Sequence, residues 1–248
     1  MKISIVIPAH NEEKYIGNCL ESVLKEIEHF RNTELARRTN FDSEIIVVNN
    51  ASTDKTKEVA KSYPSAIVID EPEKGLTKAR QAGLEHATGD LVANIDADTM
   101  LPSGWLEKVF TEFSLNPNTV SLSGPFHYYD IDGFNKFIAE GLWKVSVPPA
   151  YFFAGYMILG ANFAARKKAL LQIGGFDKNI DFYGEDTNLA RRLSYVGKVK
   201  FSMNFFIWSS GRRLVGNGLI KTELLYGMNF LWEVLFKRPF TKTYKDIR

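Results

Sequence analysis

The chain has 248 residues, 45% of them hydrophobic, and its 31 Lys and Arg residues against 29 Asp and Glu residues give a formal net charge of +2. This length and apolar content suffice for one substantial core, so we expect a single domain with appendages at most. The charge balance lacks the basic excess of duplex-binding proteins, so no nucleic-acid partner is expected. Cys19 is the only cysteine, which excludes an intramolecular disulfide and argues against a cysteine-rich zinc site.

The apolar runs are short. Residues 3–7 form a run too short for the apolar core of a signal peptide and instead predict a strand. The longest apolar stretch, residues 151–165, is interrupted by Gly155, Gly160 and Asn162 and is shorter than the ~20 residues that span a bilayer. We therefore expect no transmembrane helix and a cytoplasmic protein, at most peripheral on the inner face of the cell membrane.

Strands and helices alternate in the first hundred residues. Strands are predicted at residues 3–7, 44–48, 66–69 and 91–95, with helices from residue 11, through Val59 and at 76–87. Asn11 is the expected cap of the first helix, and polar residues 28–43 indicate a helix extension or an insertion. The alternation predicts a mostly parallel sheet flanked by helices, whose ligands bind beyond the carboxyl ends of the strands.

The second half of the chain is less regular. After a strand at residues 120–123, residues 126–163 are aromatic and Gly-rich, and we expect them to shape a pocket. A helix is predicted at 185–196 and a final strand at 199–208, followed by Arg212-Arg213 and an amphipathic tail.

Asp96-Ala97-Asp98 directly follows the strand at 91–95. Residues two apart in an extended chain point the same way, so both carboxylates are expected to face one spot at the sheet edge. Mg²⁺ and Mn²⁺ are often held by one or two carboxylates together with substrate phosphates. An acidic turn after a strand is an equally good interpretation of this motif alone.

Other motifs at the same edge decide between these interpretations. They are Pro8-Ala9-His10-Asn11-Glu12-Glu13, Asn49-Asn50-Ala51-Ser52-Thr53-Asp54, Lys74-Gly75-Leu76-Thr77-Lys78-Ala79-Arg80, Gly174-Gly175-Phe176-Asp177 and Gly184-Glu185-Asp186. In this order and spacing, from about Lys2 to Arg213, the chain resembles the family 2 glycosyltransferases of the GT-A fold. The resemblance implies a single Rossmann-like domain that transfers a sugar, with inversion, from a nucleotide-diphosphate sugar.

The resemblance also implies roles for the motif residues. Pro8, Ala9 and Glu12 would line the nucleoside pocket, Asp96 and Asp98 would hold Mn²⁺ or Mg²⁺, and Ala97, Lys74 and Arg80 would lie near the nucleotide. Asn50 stands where the family commonly has Asp to recognise the base, which leaves uridine as a first guess only. Ser52 is assigned to the donor site, although capping of the following helix is the simpler explanation.

Glu185-Asp186 matches the family's acidic pair. A carboxylate within ~3 Å of an acceptor hydroxyl can take its proton as the bond to the sugar forms. We expect Asp186 to be this base and Glu185 to bind the acceptor; two acids that merely favour a helix start are the alternative. Arg212 and Arg213 follow Ser209-Ser210-Gly211, where the family often closes a loop over the diphosphate, and a solvated basic turn is equally open.

The expected organisation is a GT-A domain at residues 1–213, with a nucleotide-binding half at 1–125 and an acceptor-binding half at 126–213, and a helical tail at 214–248. The apolar stripe of the tail ends in Lys237-Arg238. It predicts packing on the domain, a homodimer or contact with an anionic membrane.

The expected activity is addition of one sugar to a glycan or a lipid-linked acceptor, because the Gln-x-x-Arg-Trp pattern of processive members is absent. A Rossmann dehydrogenase would need a Gly-rich turn after the first strand, and Pro8-Ala9-His10-Asn11 has none. A non-catalytic protein of the same fold that binds nucleotide sugars or glycans stays open as the alternative.

Overall fold

A seven-stranded sheet forms the centre of the computed structural model, which describes residues 1–180 and 182–241. Its strand order is β3-β2-β1-β4-β8-β6-β9, and β8 alone runs against its neighbours within this sheet. The strands are β1 (Lys2–Ala9), β2 (Asp42–Asn50), β3 (Ala66–Glu71), β4 (Leu91–Ile95), β6 (Thr119–Ser123), β8 (Asn162–Arg166) and β9 (Lys198–Phe201). A three-stranded sheet contains β5 (Thr99–Met100), β10 (Ile207–Ser209) and β7 (Phe126–Tyr128).

Helices cover both faces of the central sheet. They are α1 (Ile16–Arg31), α2 (Glu34–Arg38), α3 (Thr56–Lys61), α4 (Leu76–His86), α5 (Trp105–Leu115), α6 (Gly133–Ala154), α7 (Lys167–Gln172), α8 (Glu185–Ser194), α9 (Arg212–Asn217) and α10 (Leu219–Phe236). The alternation of β1 sends Ile5 and Ile7 into a core with α1 and α5, and Val6 into a second core with α4 and α8. The mostly parallel sheet flanked by helices confirms the expected fold class.

Three details of the first half differ from the sequence-based expectation. Asn11 does not cap α1: its φ is 53°, its side chain accepts a hydrogen bond from Thr53 N (2.8 Å), and the helix begins at Ile16. Ser52 does not cap α3 either, because Asp54 Oδ1 accepts from Thr56 N (2.9 Å). Residues 28–43 contain the end of α1 and the short helix α2.

The second half differs more. The single strand expected at 199–208 is two strands, β9 and β10, which belong to different sheets. The aromatic region contains α6, a 22-residue helix whose N-cap Asp132 accepts from Phe134 N and Asn135 N. Sequence periodicity did not reveal this helix, since its apolar residues face both inward and outward.

The C-terminal helix α10 packs on the domain. Glu233, which is 0% exposed, accepts hydrogen bonds at Oε1 from Asn188 Nδ2 and Arg191 Nη2 of α8, both at 3.0 Å. In the part of the chain that the structure describes, no helix has the length and apolarity to cross a bilayer.

Two helical glycines allow a matched test of how closely α4 lies against β1. A Cβ on Gly83 would lie 2.2 Å from Val6 Cγ1, whereas a Cβ on Gly141 of α6 would meet nothing within 4 Å. Gly83→Ala should therefore destabilise by about 1–3 kcal/mol, because overpacking outweighs the helix propensity of Ala. Gly141→Ala should stabilise by about 0.5–1 kcal/mol. Urea denaturation measures both, and a stabilising Gly83→Ala would contradict the close packing.

Candidate active site

The loops that follow β1 and β2 are joined through Asn50. The His10 ring donates from Nδ1 to the carbonyl oxygen of Asn50 (2.7 Å). The Asn50 side chain donates to the carbonyl oxygens of Glu71 (3.1 Å) and Glu73 (2.7 Å) and accepts at Oδ1 from Gly75 N (2.8 Å). Both amide hydrogens therefore hold the loop before α4, and Oδ1 keeps capacity for one further donor.

Ser52 lies in the same pair of loops. Its hydroxyl accepts from Asn11 N (3.2 Å) and donates to the carbonyl oxygen of Ala9 (3.4 Å). These contacts tie the end of β1 to the segment after β2. Ser52 thus shapes the loop rather than capping the helix that follows.

Arg80 is the centre of the acidic part of the site. The side chain is 1% exposed, and its guanidinium lies between Asp96 after β4, with Nη2 3.1 Å from Oδ1, and Glu185 at the start of α8, whose Oε1 accepts from Nη1. A buried guanidinium is stable only with such partners. The two acidic motifs of the sequence therefore share one cation.

Gly160 is a site residue that sequence reasoning missed. A Cβ at this position would lie 2.6 Å from Arg80 Nη1 and 2.7 Å from Glu185 Oε1. A glycine within an aromatic stretch was the only signal, and the sequence offered no reason to connect it with residues 80 and 185.

The two acids of α8 have different surroundings. Burial raises the pKa of Glu185 to about 7, with Arg80 acting in the opposite direction and Asp186 adding to the rise. Burial also raises the pKa of Asp186, although hydrogen bonding from Thr187 N (2.8 Å) favours its charged form. Glu185 is buried and paired with Arg80, whereas Asp186 is partly exposed. The expected contact of Glu185 with an acceptor therefore does not fit its surroundings, and Asp186 is the less enclosed residue of the pair.

Asp98 pairs with a second arginine. Arg212 Nη2 lies 2.9 Å from Asp98 Oδ2, and the same nitrogen donates to Glu12 Oε1. The guanidinium also lies 4.5 Å from the centroid of the Tyr15 ring. The first motif, the acidic motif and the start of α9 therefore meet at this point, although Arg212 is 200 residues from Glu12 in sequence.

Asp130 holds the segment that carries Arg212. Its carboxylate accepts from Gly211 N (2.6 Å) and from the Ser210 hydroxyl, and Ser210 N donates to the carbonyl oxygen of Asp98 (3.2 Å). No local sequence pattern indicates this role, because residues 130 and 210 come together only through the small sheet.

The remaining expected site residues are arranged as follows. Pro8 and Ala9 end β1, and buried Ala97 separates the two acids after β4. Lys74 is exposed in the loop before α4, and Arg213 lies with its guanidinium carbon 4.2 Å from the Phe182 ring centroid.

A divalent cation fits this edge only with ligands from outside the protein. Among residues 1–180 and 182–241, no three His, Cys, Asp or Glu side chains are grouped to hold a metal ion. Asp96 and Asp98 are hard oxygen donors with partly exposed side chains, and each faces an arginine. Two carboxylates are enough for Mg²⁺ or Mn²⁺ when phosphates and water complete the shell.

Residues 4–174 match the family model described as glycosyl transferase family 2. The chain belongs to this family. The match covers β1 to α7 and so includes the strand-end loops, Arg80, Asp96 and Asp98.

Two relatives are similar in sequence to parts of this chain. A dolichyl-phosphate beta-glucosyltransferase of Trichomonas vaginalis is 39% identical over 101 residues, which is 39% of this chain and 30% of that protein. The 4,4'-diaponeurosporenoate glycosyltransferase of Staphylococcus aureus is 32% identical over 132 residues, 50% of this chain and 32% of that protein. The chain thus spans about a third of the length of these relatives.

A solved structure shows the same fold. The mannosyltransferase PcManGT from Pyrobaculum calidifontis, in complex with GDP-Man and Mn²⁺, superposes with a TM-score of 0.62 at 18% identity, covering 95% of this chain and 63% of that one. The expected GT-A fold is confirmed by this likeness.

The raised pKa of Glu185 predicts a pH-dependent stability. Its carboxyl titrates near 4.5 when unfolded and at about 7 when folded, so the folded state binds more protons between these values. The contribution of Glu185 to the free energy of unfolding is therefore full below pH 4.5. It falls by about 2–3 kcal/mol as the pH rises to 7. Urea denaturation in EDTA at several pH values should show this slope in the wild type and in the exposed-acid control Glu107→Gln. A Glu185→Gln variant with an unchanged slope would contradict the assignment.

Proposed function

We propose that the protein transfers a single sugar from a nucleotide-diphosphate sugar to a hydroxyl of a glycan or a lipid-linked acceptor, with inversion. The supporting observation is the Arg80 bridge, which joins Asp96 to the helix that begins with Glu185 and Asp186. This bridge brings a donor-side acid and an acceptor-side acid to one edge of the sheet. A cation held by Asp96 and Asp98 supplies, when bound, a charge opposite to that of the departing diphosphate.

Asp186 is the proposed base. The acceptor oxygen attacks the anomeric carbon from the face opposite the diphosphate, the bond from that carbon to the diphosphate oxygen breaks, and the acceptor proton passes to Asp186. The raised pKa of Asp186 makes it a better proton acceptor near neutral pH than an ordinary aspartate. Glu185 takes the role of a positioning residue, because its Oε1 orients Arg80.

Arg212 is the proposed diphosphate ligand. It is partly exposed and lies 2.9 Å from Asp98, beside the position of the proposed cation. A planar guanidinium binds phosphate oxygens in pairs and keeps its charge at every physiological pH. Lys74, in the loop before α4, and Arg213, in α9, are further cations that belong to the proposed donor site.

The Asn50 side chain favours a nucleobase that presents a hydrogen-bond donor to the protein. Its amide hydrogens are bonded to the carbonyl oxygens of Glu71 and Glu73, so Oδ1, which accepts from Gly75 N, is the side-chain atom with capacity to accept from a base. An acceptor oxygen is also what the aspartate common at this family position would offer. Uracil presents such a donor at N3 and guanine at N1, and we take UDP-sugar as the first donor to test, with Pro8, Ala9, Glu12 and Ser52 around it.

Nucleotide release from UDP-, GDP- and dTDP-sugars with Mn²⁺ tests this function, alongside donor binding by thermal shift. Asp186→Asn should lower release by about 10²- to 10⁴-fold, because the proton acceptor is lost, with donor binding little changed. Asp98→Ala should weaken donor binding by about tenfold or more, because a cation ligand is lost.

Glu107→Gln, an exposed acid on α5, is the matched control and should match the wild type in both measurements. No binding and no turnover of any donor would refute the proposal. Donor binding without turnover, unaffected by Asp186→Asn, would favour the non-catalytic binding protein instead.

A further inference from the structure

Helices α6 and α10 lie together at one side of the molecule. Trp143 of α6 donates from Nε1 to Glu223 of α10 (3.3 Å), and Phe230 of α10 packs in an apolar cluster with Trp143, Val147 and Tyr151. The two helices therefore form one surface, which we name the α6–α10 face.

Helix α10 has its polar side toward the protein. Its buried residues are Thr222, Asn229 and Glu233. Asn229 Oδ1 accepts from Phe240 N and Thr241 N (both 3.1 Å), and Glu233 is bonded to α8. The outward residues are apolar at helical spacing: Ile220, Leu224, Met228, Leu231 and Leu235. This polarity is the reverse of that of an ordinary surface helix.

Helix α6 adds a second outward apolar row. Phe152 and Phe153 are 81% and 85% exposed, although phenylalanine is normally among the buried residues. The exposed apolar residues of this helix are Phe134, Phe137, Leu142, Val145, Phe152 and Phe153. Apolar patches beyond a few hundred Å² are rare on monomeric proteins and mark interaction sites.

The charges around this face are mostly basic. Within α6 and α10, the exposed charged residues are Lys144 and Lys221, and exposed Lys237 and Arg238 follow α10 directly, whereas exposed Asp132 caps the start of α6. The acids of the two helices point inward: Glu140 to His127 (3.0 Å), Glu223 to Trp143 and Glu233 to Arg191. The face is therefore apolar with a basic border.

We propose that the α6–α10 face docks this protein on an anionic lipid surface, with both helices parallel to the bilayer plane. Lipid headgroups supply the negative charge that the basic border needs, and the acyl region takes up the outward phenylalanines and leucines. A second copy of the chain fits less well, because a two-fold contact would bring basic borders toward each other.

This inference goes beyond the membrane contact expected of the tail alone. The sequence stripe suggested packing, dimerisation or membrane contact, whereas the structure shows the polar side of α10 packed and its apolar side exposed. The inference does not depend on the proposed reaction, because lipid docking is measured without donor or acceptor.

Vesicle co-sedimentation tests the proposal, using equal parts phosphatidylcholine and phosphatidylglycerol against phosphatidylcholine alone. The wild type should bind the anionic vesicles. Phe152→Ser with Phe153→Ser should lower the affinity by about tenfold or more, because two inserted aromatic rings are lost. Lys237→Glu with Arg238→Glu should remove most of the preference for anionic lipid, at about fivefold or more per residue.

The matched control is Leu115→Gln with Leu171→Gln, two exposed leucines on α5 and α7, away from the face. It should bind vesicles like the wild type, and all variants should melt near the wild-type temperature because every substituted side chain is exposed. Absence of vesicle binding, or equal loss in the control, would overturn the proposal. Light scattering without lipid tests whether a second copy of the chain occupies the face instead. A dimer that dissociates in the variant Phe152→Ser with Phe153→Ser, together with no vesicle binding by the wild type, would assign the face to a second copy.

Discussion

The buried guanidinium of Arg80 connects the two halves of the chain at the point where the polar loops meet. It belongs to α4, which packs on β1 through Gly83, and it reaches Asp96 after β4 and Glu185 at the start of α8. A charge this deeply buried has a large desolvation cost that only close opposite charges offset. The positions of β4, α4 and α8 are therefore coupled, and Gly160 leaves the room that this arrangement needs.

Pairing with arginine also sets the charge balance of the site. Asp96 faces Arg80 and Asp98 faces Arg212, so the two acids do not repel each other freely across Ala97. The two arginines differ in exposure: Arg80 is enclosed, and Arg212 is partly open on a short helix fixed by Asp130. An enclosed pair, Arg80 with Asp96, and a more accessible pair, Arg212 with Asp98, thus lie side by side at the same sheet edge.

The first half of the fold could be predicted because its signals are local. The strand at 91–95 has the expected bounds, and the strand-end loops follow from parallel topology. The loop contacts could not be predicted, since Asn11, Ser52 and Thr53 satisfy one another across two separate loops. Gly160 and Asp130 act through residues about 80 positions away, and no periodicity records such a pairing. The inward orientation of the polar side of α10 could not be predicted either, because an apolar stripe has the same helical spacing whether it packs on the protein or faces outward.

The ion pair of Glu233 with Arg191 ties the C-terminal tail to α8. Ending the chain at residue 213, where the sequence suggests a boundary, would remove the carboxylate that neutralises Arg191 and accepts from Asn188. Those groups would then be left on the helix whose first residues are Glu185 and Asp186. A shortened version made for expression or crystallisation would therefore keep every strand of both sheets and still loosen the helix that carries the acidic pair. The last helix is part of the scaffold of the site, not a detachable extension.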